Sequence, residues 1–127
     1  MTIIRTIVIA LAFLANLLAA AQAPAQDRAP YETALSQLAE ILGALHYLRP
    51  LCGATEQGQW RNEMQALLDA AQLPGDRRNL LVTSFNRGYV SYEQTYRSCT
   101  PAASLAIRRF LDEGARLSRD IATRYSN

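Results

Sequence analysis

The sequence predicts an all-α protein: a small antiparallel four-helix bundle that is stapled by one disulfide and preceded by a signal peptide. Four segments carry apolar residues at helical spacing, and breaks that contain Pro or Gly separate them. The chain also has two cysteines behind an N-terminal export signal, which is the setting in which disulfides form. With 127 residues, the chain is expected to fold as one domain around one core.

Residues 1–21 have the three parts of a secretory signal peptide. Arg5 precedes the apolar run Ile7–Ala21, and small residues close the segment. We expect cleavage before Gln22, with cleavage after Ala23 as the alternative. Retention as an inner-membrane anchor facing the periplasm is less favoured, because a spanning helix needs about 20 apolar residues. The mature protein is therefore predicted to be periplasmic and not an integral membrane protein.

The rest of the chain divides into a flexible lead-in, residues 22–29, and a helical domain, residues 30–127. Pro30 suits the first turn of a helix. Pro50 is expected to end that helix, because it lacks an amide and disfavours helical geometry at the preceding residue. This first helix is expected to bury one apolar face, which comprises Tyr31, Ala34, Leu35, Leu38, Ile41, Leu42 and Leu45 and runs to about Leu48.

Three further helices are predicted, with Thr55, Asp76 and Thr100 as N-caps. Gly88 in the third helix is expected where another backbone approaches, because Gly costs up to about 1 kcal/mol in a helix relative to Ala. The expected buried faces are Trp60, Met64, Leu67, Leu68 and Ala71 in the second helix, Phe85, Tyr89, Tyr92, Tyr96 and Cys99 in the third, and Ile107, Phe110, Leu111, Leu117, Ile121 and Tyr125 in the fourth.

The two cysteines are predicted to form a disulfide. In an up-down-up-down bundle, Cys52 after the first helix and Cys99 at the end of the third lie at the same end. An exported protein meets an oxidising compartment, where the pair would contribute roughly 3–4 kcal/mol in the chain-entropy model. The chain has no Cys-x-x-Cys motif, and its two cysteines, one histidine and two methionines do not make a metal site. No redox role, metal or cofactor is predicted.

The net charge argues against nucleic-acid binding, and the lack of a catalytic motif disfavours an enzyme. The formal net charge of +2 is too small, and the arginines are too scattered, to indicate nucleic-acid binding. His46, the only histidine, lies in no recognisable catalytic motif, so we interpret it as a partly buried structural residue. An enzyme with Glu93 as general acid or base is the least favoured hypothesis, because sequence places no partner beside that carboxylate.

The candidate binding surface comprises Tyr47, Arg49, Asn86, Arg87, Tyr89, Tyr92, Glu93, Tyr96 and Arg97. The three tyrosines of the third helix are most simply core residues whose hydroxyls reach the edge of the bundle, and the alternative is an aromatic floor for a sugar or peptide ligand. Glu93 and Arg97 are four apart, so an ordinary ion pair explains them equally well. The arginines could receive an anionic lipid headgroup or cell-wall carboxylate, and Tyr47 is expected to be an exposed aromatic contact for a partner.

The segments Leu45–Gly53 and Phe85–Thr100 resemble a family of small, helical, two-cysteine exported proteins from alphaproteobacteria. The likeness extends to Trp60–Leu68 and Gly114–Tyr125, so it covers most of the mature chain. The family is one of unknown function. The resemblance therefore implies export and paired cysteines, and it transfers no catalytic residue.

Together these observations predict a non-enzymatic periplasmic binding or interaction protein of the cell envelope. Its expected partner is an envelope protein or an anionic envelope ligand. The alternative is a small-ligand carrier or sensor that uses a Tyr- and Arg-lined groove on the third helix. The amino-acid sequence does not identify the ligand or the partner.

Overall fold

The computed structural model describes residues 23–125, and all of its regular secondary structure is helical. The helices are α1 (Ala23–Leu51), α2 (Gln59–Ala71), α3 (Gly75–Thr95) and α4 (Pro101–Tyr125). No strand occurs within these residues, so the predicted all-α fold with four helices is confirmed. The predicted signal peptide lies outside the described residues. All packing contacts described below lie within the compact unit that begins at Thr33.

Helix α1 is longer than the sequence predicts at both ends. It begins at Ala23, so residues 23–29, expected as a lead-in, are helical. It also continues through Pro50 to Leu51. The physical reason is that Pro50 lacks only its own amide: its carbonyl still accepts from the amide of Gly53, 3.1 Å away. The last turn is therefore completed around the proline.

The predicted helix caps are partly wrong. Helix α2 starts at Gln59 with Gly58 as N-cap, at a φ of 79°, instead of starting at Thr55. Asp76 lies in the first turn of α3 and does not cap it. The cap at Thr100 is confirmed, because its Oγ1 accepts a hydrogen bond from the amide of Ala103 at 3.1 Å.

Helix α3 ends at Thr95, four residues earlier than the aromatic stripe predicts. Tyr96 has extended backbone, with φ −121° and ψ 120°, so Tyr96 and Cys99 do not continue the helical stripe. The reason lies in the next helix. Pro101 begins α4 and disfavours helical geometry at Thr100, the residue before it, so α3 cannot continue directly into α4. Residues 96–100 form the connection between the two helices.

Helix α1 is buried on two sides, not on one. The predicted face is buried from Leu35 to Leu48, and a second set of small residues is buried beside it: Ala39, Gly43 and Ala44. A helix that is apolar nearly all round packs against neighbours on several sides. The expectation of a single apolar face was therefore incomplete, and α1 is the central helix of the core.

The second buried side of α1 packs closely against α3. A Cβ atom added to Gly43 would overlap the carbonyl oxygen of Phe85, and one added to Gly88 would overlap the carbonyl oxygen of Glu40. The two backbones therefore touch at these glycines, which confirms the close approach predicted at Gly88. Only residues without a side chain allow helices to come this close.

An ion pair joins α1 to α3, and a disulfide joins the residues that follow these two helices. Arg87 bonds Glu40 across a sequence separation of 47, and the predicted disulfide joins Cys52 to Cys99 across the same separation. Because the two links have equal offsets, the chain from Glu40 to Cys52 runs in the same direction as the chain from Arg87 to Cys99. The predicted disulfide is confirmed by the bond between Cys52 and Cys99, whose Cα atoms are 4.9 Å apart.

Candidate functional site

Tyr47 is not the exposed aromatic that the sequence predicts. Its side chain is half-buried, and its hydroxyl donates a hydrogen bond to the carbonyl oxygen of Tyr96. Its ring is nearly perpendicular to the ring of Tyr89, with the two ring centroids 5.4 Å apart. The prediction of exposure was wrong because α1 has two buried sides. A residue that faces away from the first apolar face meets α3 instead of solvent.

The tyrosines of α3 pack mainly on other aromatic rings. The Tyr92 ring lies edge-on to Phe110 of α4 at 5.2 Å and stacks on Tyr96 at 6.2 Å. Burial, followed by the nearby Tyr96, raises the pKa of the Tyr92 hydroxyl above its usual range. These contacts agree with the simpler of the two readings, in which the tyrosines belong to the core and its edge. Their role in binding stays a prediction.

The three candidate arginines do not form one anion site. Arg49 is bonded to Glu56, whereas Arg87 is bonded to Glu40 at 2.7 Å. Glu40 and Arg49 are nine positions apart, about 13 Å along α1 at 1.5 Å per residue. Arg97 follows the end of α3, so helical spacing no longer relates it to Glu93, and it has no ion pair among residues 30–125.

The remaining polar candidates, Asn86 and Glu93, are exposed on α3. His46 is half-buried as predicted, with its ring 5.7 Å from Phe85 and 5.6 Å from Tyr89. Burial, together with the positive charge of Arg61, lowers the pKa of His46 below its ordinary value of 6.5. The imidazole is therefore mainly neutral at pH 7. Within the part of the chain that the structure describes, no three His, Cys, Asp or Glu side chains are grouped to hold a metal ion.

A different feature has the form of a binding site: an apolar groove of about 260 Å³ between α1, α2 and α4. It is lined by Leu38, Ile41, Leu42 and Leu45 of α1, Trp60 and Glu63 of α2, and Phe110, Leu111, Gly114, Ala115 and Ser118 of α4. Three of these residues, Trp60, Phe110 and Leu111, were expected to be buried in the core. Instead they are partly exposed, and 36% of the surface of Leu111 is accessible.

The groove exists because small residues on α4 leave space beside large ones. Gly114 is buried against α1, where its Cβ position lies 3.3 Å from Cγ2 of Ile41. Ala115 beside it has too little volume to cover the leucines of α1. The signal that sequence reasoning missed is therefore the Gly114-Ala115 pair next to Leu111 on a face otherwise made of large apolar residues.

One end of the groove is held by a clamp that sequence reasoning also missed. The carboxylate of Glu56 accepts two hydrogen bonds from Arg49, one from Nε at 3.0 Å and one from Nη2. It also accepts a hydrogen bond from the indole nitrogen of Trp60 at 3.1 Å. The hydrogen bond from Arg49 is the main reason that the pKa of Glu56 lies below its ordinary range. The clamp joins the end of α1 to the start of α2 and orients Trp60 at the groove.

The groove carries one ionisable group. Among its lining residues only Glu63 has an ionisable side chain, and this exposed carboxylate has no ion pair or hydrogen bond to another described residue. Chemically, the site can shelter an apolar group from water while presenting one negative charge at its edge.

Comparison with known proteins gives a family and no further relative. None of the described helices is both long and apolar enough to cross a membrane. Comparisons with curated proteins and with solved structures gave no match. A family model matches residues 30–125, which is more than half of the chain and includes the groove and the candidate binding surface. The chain therefore belongs to the family described as "Protein of unknown function (DUF2385)".

Proposed function

We propose that the protein is a non-enzymatic binding protein of the cell envelope. In this proposal an N-terminal signal peptide exports it to the periplasm of an alphaproteobacterium, and its helices pack as an antiparallel bundle around α1. The disulfide supports export, because such bonds persist in oxidising compartments. The common direction of α1 and α3 supports the up-down-up-down order.

The observation that carries the proposal is the apolar groove. Its volume of about 260 Å³ exceeds the roughly 150 Å³ of an engineered apolar cavity that binds benzene, and it lies just below the range of about 300–1,000 Å³ typical of ligand sites. The groove is concave, mostly apolar and bordered by two aromatic residues, Trp60 and Phe110. These properties favour the carrier or sensor form of the function, in which the ligand is a small molecule.

The groove replaces the Tyr- and Arg-lined surface of α3 as the favoured ligand site. On that surface Arg87 already pairs with Glu40, and Tyr47 bonds the backbone at Tyr96. An interaction with an envelope protein through this surface is the second candidate. In that case we expect Arg97→Ala to weaken partner capture at unchanged melting temperature, because Arg97 has no ion pair among the described residues.

The proposal is tested by native mass spectrometry of protein taken from its native periplasm. A denaturing spectrum of the same sample gives the start of the mature chain, and a deficit of about two hydrogens reports the disulfide. We expect the wild-type native mass to exceed that of the bare chain by the mass of a retained ligand. Ala115→Phe should lose this excess mass, because the phenyl ring fills the groove from a partly open position on α4.

The matched control is Glu113→Gln, which changes an exposed side chain of α4 that does not line the groove and should keep the excess mass. A bare native mass in the wild type, unchanged by Ala115→Phe, would contradict ligand storage in the groove. Excess mass that survives Ala115→Phe would place the ligand elsewhere. A mature chain that still contains residues 1–21 would contradict signal cleavage.

A further inference from the structure

We infer that the ligand of the apolar groove is a single-chain amphiphile with a cationic head group. Its hydrocarbon chain lies among the leucines of α1 and α4, and its head lies beside Glu63. This inference rests on the proposed binding role of the groove and adds the chemical class of the ligand.

The shape and lining of the groove favour a hydrocarbon chain. On α1 the wall consists of Leu38, Ile41, Leu42 and Leu45, which present no polar atom from their side chains. On α4 the hydroxyl of Ser118 already donates to the carbonyl oxygen of Gly114 at 2.8 Å, so it is not free to donate to a ligand. A ligand with several polar groups along its length would lose hydrogen bonds to water here without replacement.

The charge at the groove favours a cationic head. Glu63 is the only ionisable residue of the lining, and no described residue pairs with it. The neighbouring carboxylate, Glu56, is already paired with Arg49 and does not add an uncompensated charge. Within the lining of the groove, the unpaired charge is therefore negative, which attracts a cation and repels an anion of the same chain length.

Trp60 strengthens this preference. Trp60 and Glu63 are three residues apart on α2, so both lie on the face that borders the groove. An indole attracts cations through the negative face of its ring, and this attraction grows when the cation is partly desolvated. A head group placed beside both residues gains from a carboxylate and an aromatic ring at once.

The inference is tested with three ligands that share one chain and differ in charge: decyltrimethylammonium, decanol and decanoate. The two ionic ligands are kept below their micelle concentrations, and decanol is kept below its solubility limit. Trp60 is the only tryptophan of the chain, so its fluorescence reports directly on the groove. We expect decyltrimethylammonium to bind about fivefold more tightly than decanol, and decanoate to bind most weakly. The preference should shrink with added salt.

Glu63→Gln keeps the shape of the side chain and removes its charge. It should bring the affinity for decyltrimethylammonium close to that for decanol, whereas the control Glu113→Gln should leave the preference intact. Ala115→Phe should weaken binding of all three ligands. Circular dichroism and melting curves verify that each variant is folded.

The outcomes separate this inference from the proposed function. If decanol binds as tightly as decyltrimethylammonium and Glu63→Gln changes nothing, the cationic head is wrong and the groove remains an apolar site. If decanoate binds most tightly, the sign of the charge is wrong. If none of the three perturbs Trp60 fluorescence, the inferred ligand class is overturned, and the mass measurement on native protein decides separately whether the groove holds any ligand.

Discussion

Replacing Gly88 by Ala tests the close contact between the backbones of α1 and α3. The added methyl group would overlap the carbonyl oxygen of Glu40 and would lie 2.9 Å from its carbonyl carbon and 3.0 Å from the amide nitrogen of Ala44. All three are backbone atoms of α1, so no side-chain rotation can relieve the contact. The two helices must move apart, and the core between them must loosen.

The magnitude follows from two opposing effects. Forcing an extra carbon into a packed core costs about 1–3 kcal/mol, and the rigid backbone partners of Gly88 place this site at the upper end. Ala favours the helical state by up to about 1 kcal/mol relative to Gly. The net loss in the free energy of unfolding is therefore about 2 kcal/mol, which lowers the melting temperature by about 8–16 °C for a domain of this size.

The assay is thermal and urea denaturation of purified protein, with Gly75→Ala as the matched control. Gly75 also lies in α3, but no atom lies within 4 Å of its Cβ position, so this variant should be as stable as the wild type or slightly more stable. If Gly88→Ala were as stable as the wild type, the close contact of α1 and α3 would be refuted. The same loss in both variants would instead point to a general effect on α3.

Three further predictions concern the links between helices. Replacing both Cys52 and Cys99 by Ser should lower the free energy of unfolding by about 4 kcal/mol in urea titrations, since the bond closes a loop of 47 residues; unchanged stability would contradict this. The lowered pKa of Glu56 means that its contribution to stability is present above the ordinary value of 4.5 and is lost as pH falls through the lower folded-state pKa. Trp60 fluorescence should follow this loss, and an identical pH profile in Glu56→Gln would rule out the clamp. An NMR titration of His46 should have its midpoint below 6.5, with stability decreasing as pH falls below 6.5; a midpoint at or above 6.5 would contradict the lowered pKa.

Local signals determined the number of helices and much of the core. Apolar spacing and the Pro- and Gly-containing breaks predicted four helices, and the cap at Thr100 was correct, because these features depend on residues within one or two turns of each other. The disulfide was predictable because only two cysteines are present and helix order brings them to one end. Helix ends were less accurate. Whether Pro50 ends α1 depends on hydrogen bonds that the following residues make, such as the one from Gly53.

The candidate site was not predictable in the same way, because it depends on how whole helices face each other. Periodicity identified one apolar face of α1, but the burial of its second side requires α3 to pack there, and this contact turned Tyr47 inward. In the clamp, Glu56 bonds Arg49, seven positions before it, and Trp60, four positions after it. Glu56 lies in the connection between two helices, and helical periodicity does not predict the shape of a connection.

By itself, the sequence determined an all-helical chain with a Cys52–Cys99 pair and a close approach at Gly88. Composition and spacing are sufficient for these features, because each follows from residue type and local geometry. Only the tertiary structure decided that space remains between the leucines of α1 and the small residues Gly114 and Ala115 of α4. A groove is the difference between the volume that helix packing encloses and the volume that side chains fill, so it exists only once both helices are in place.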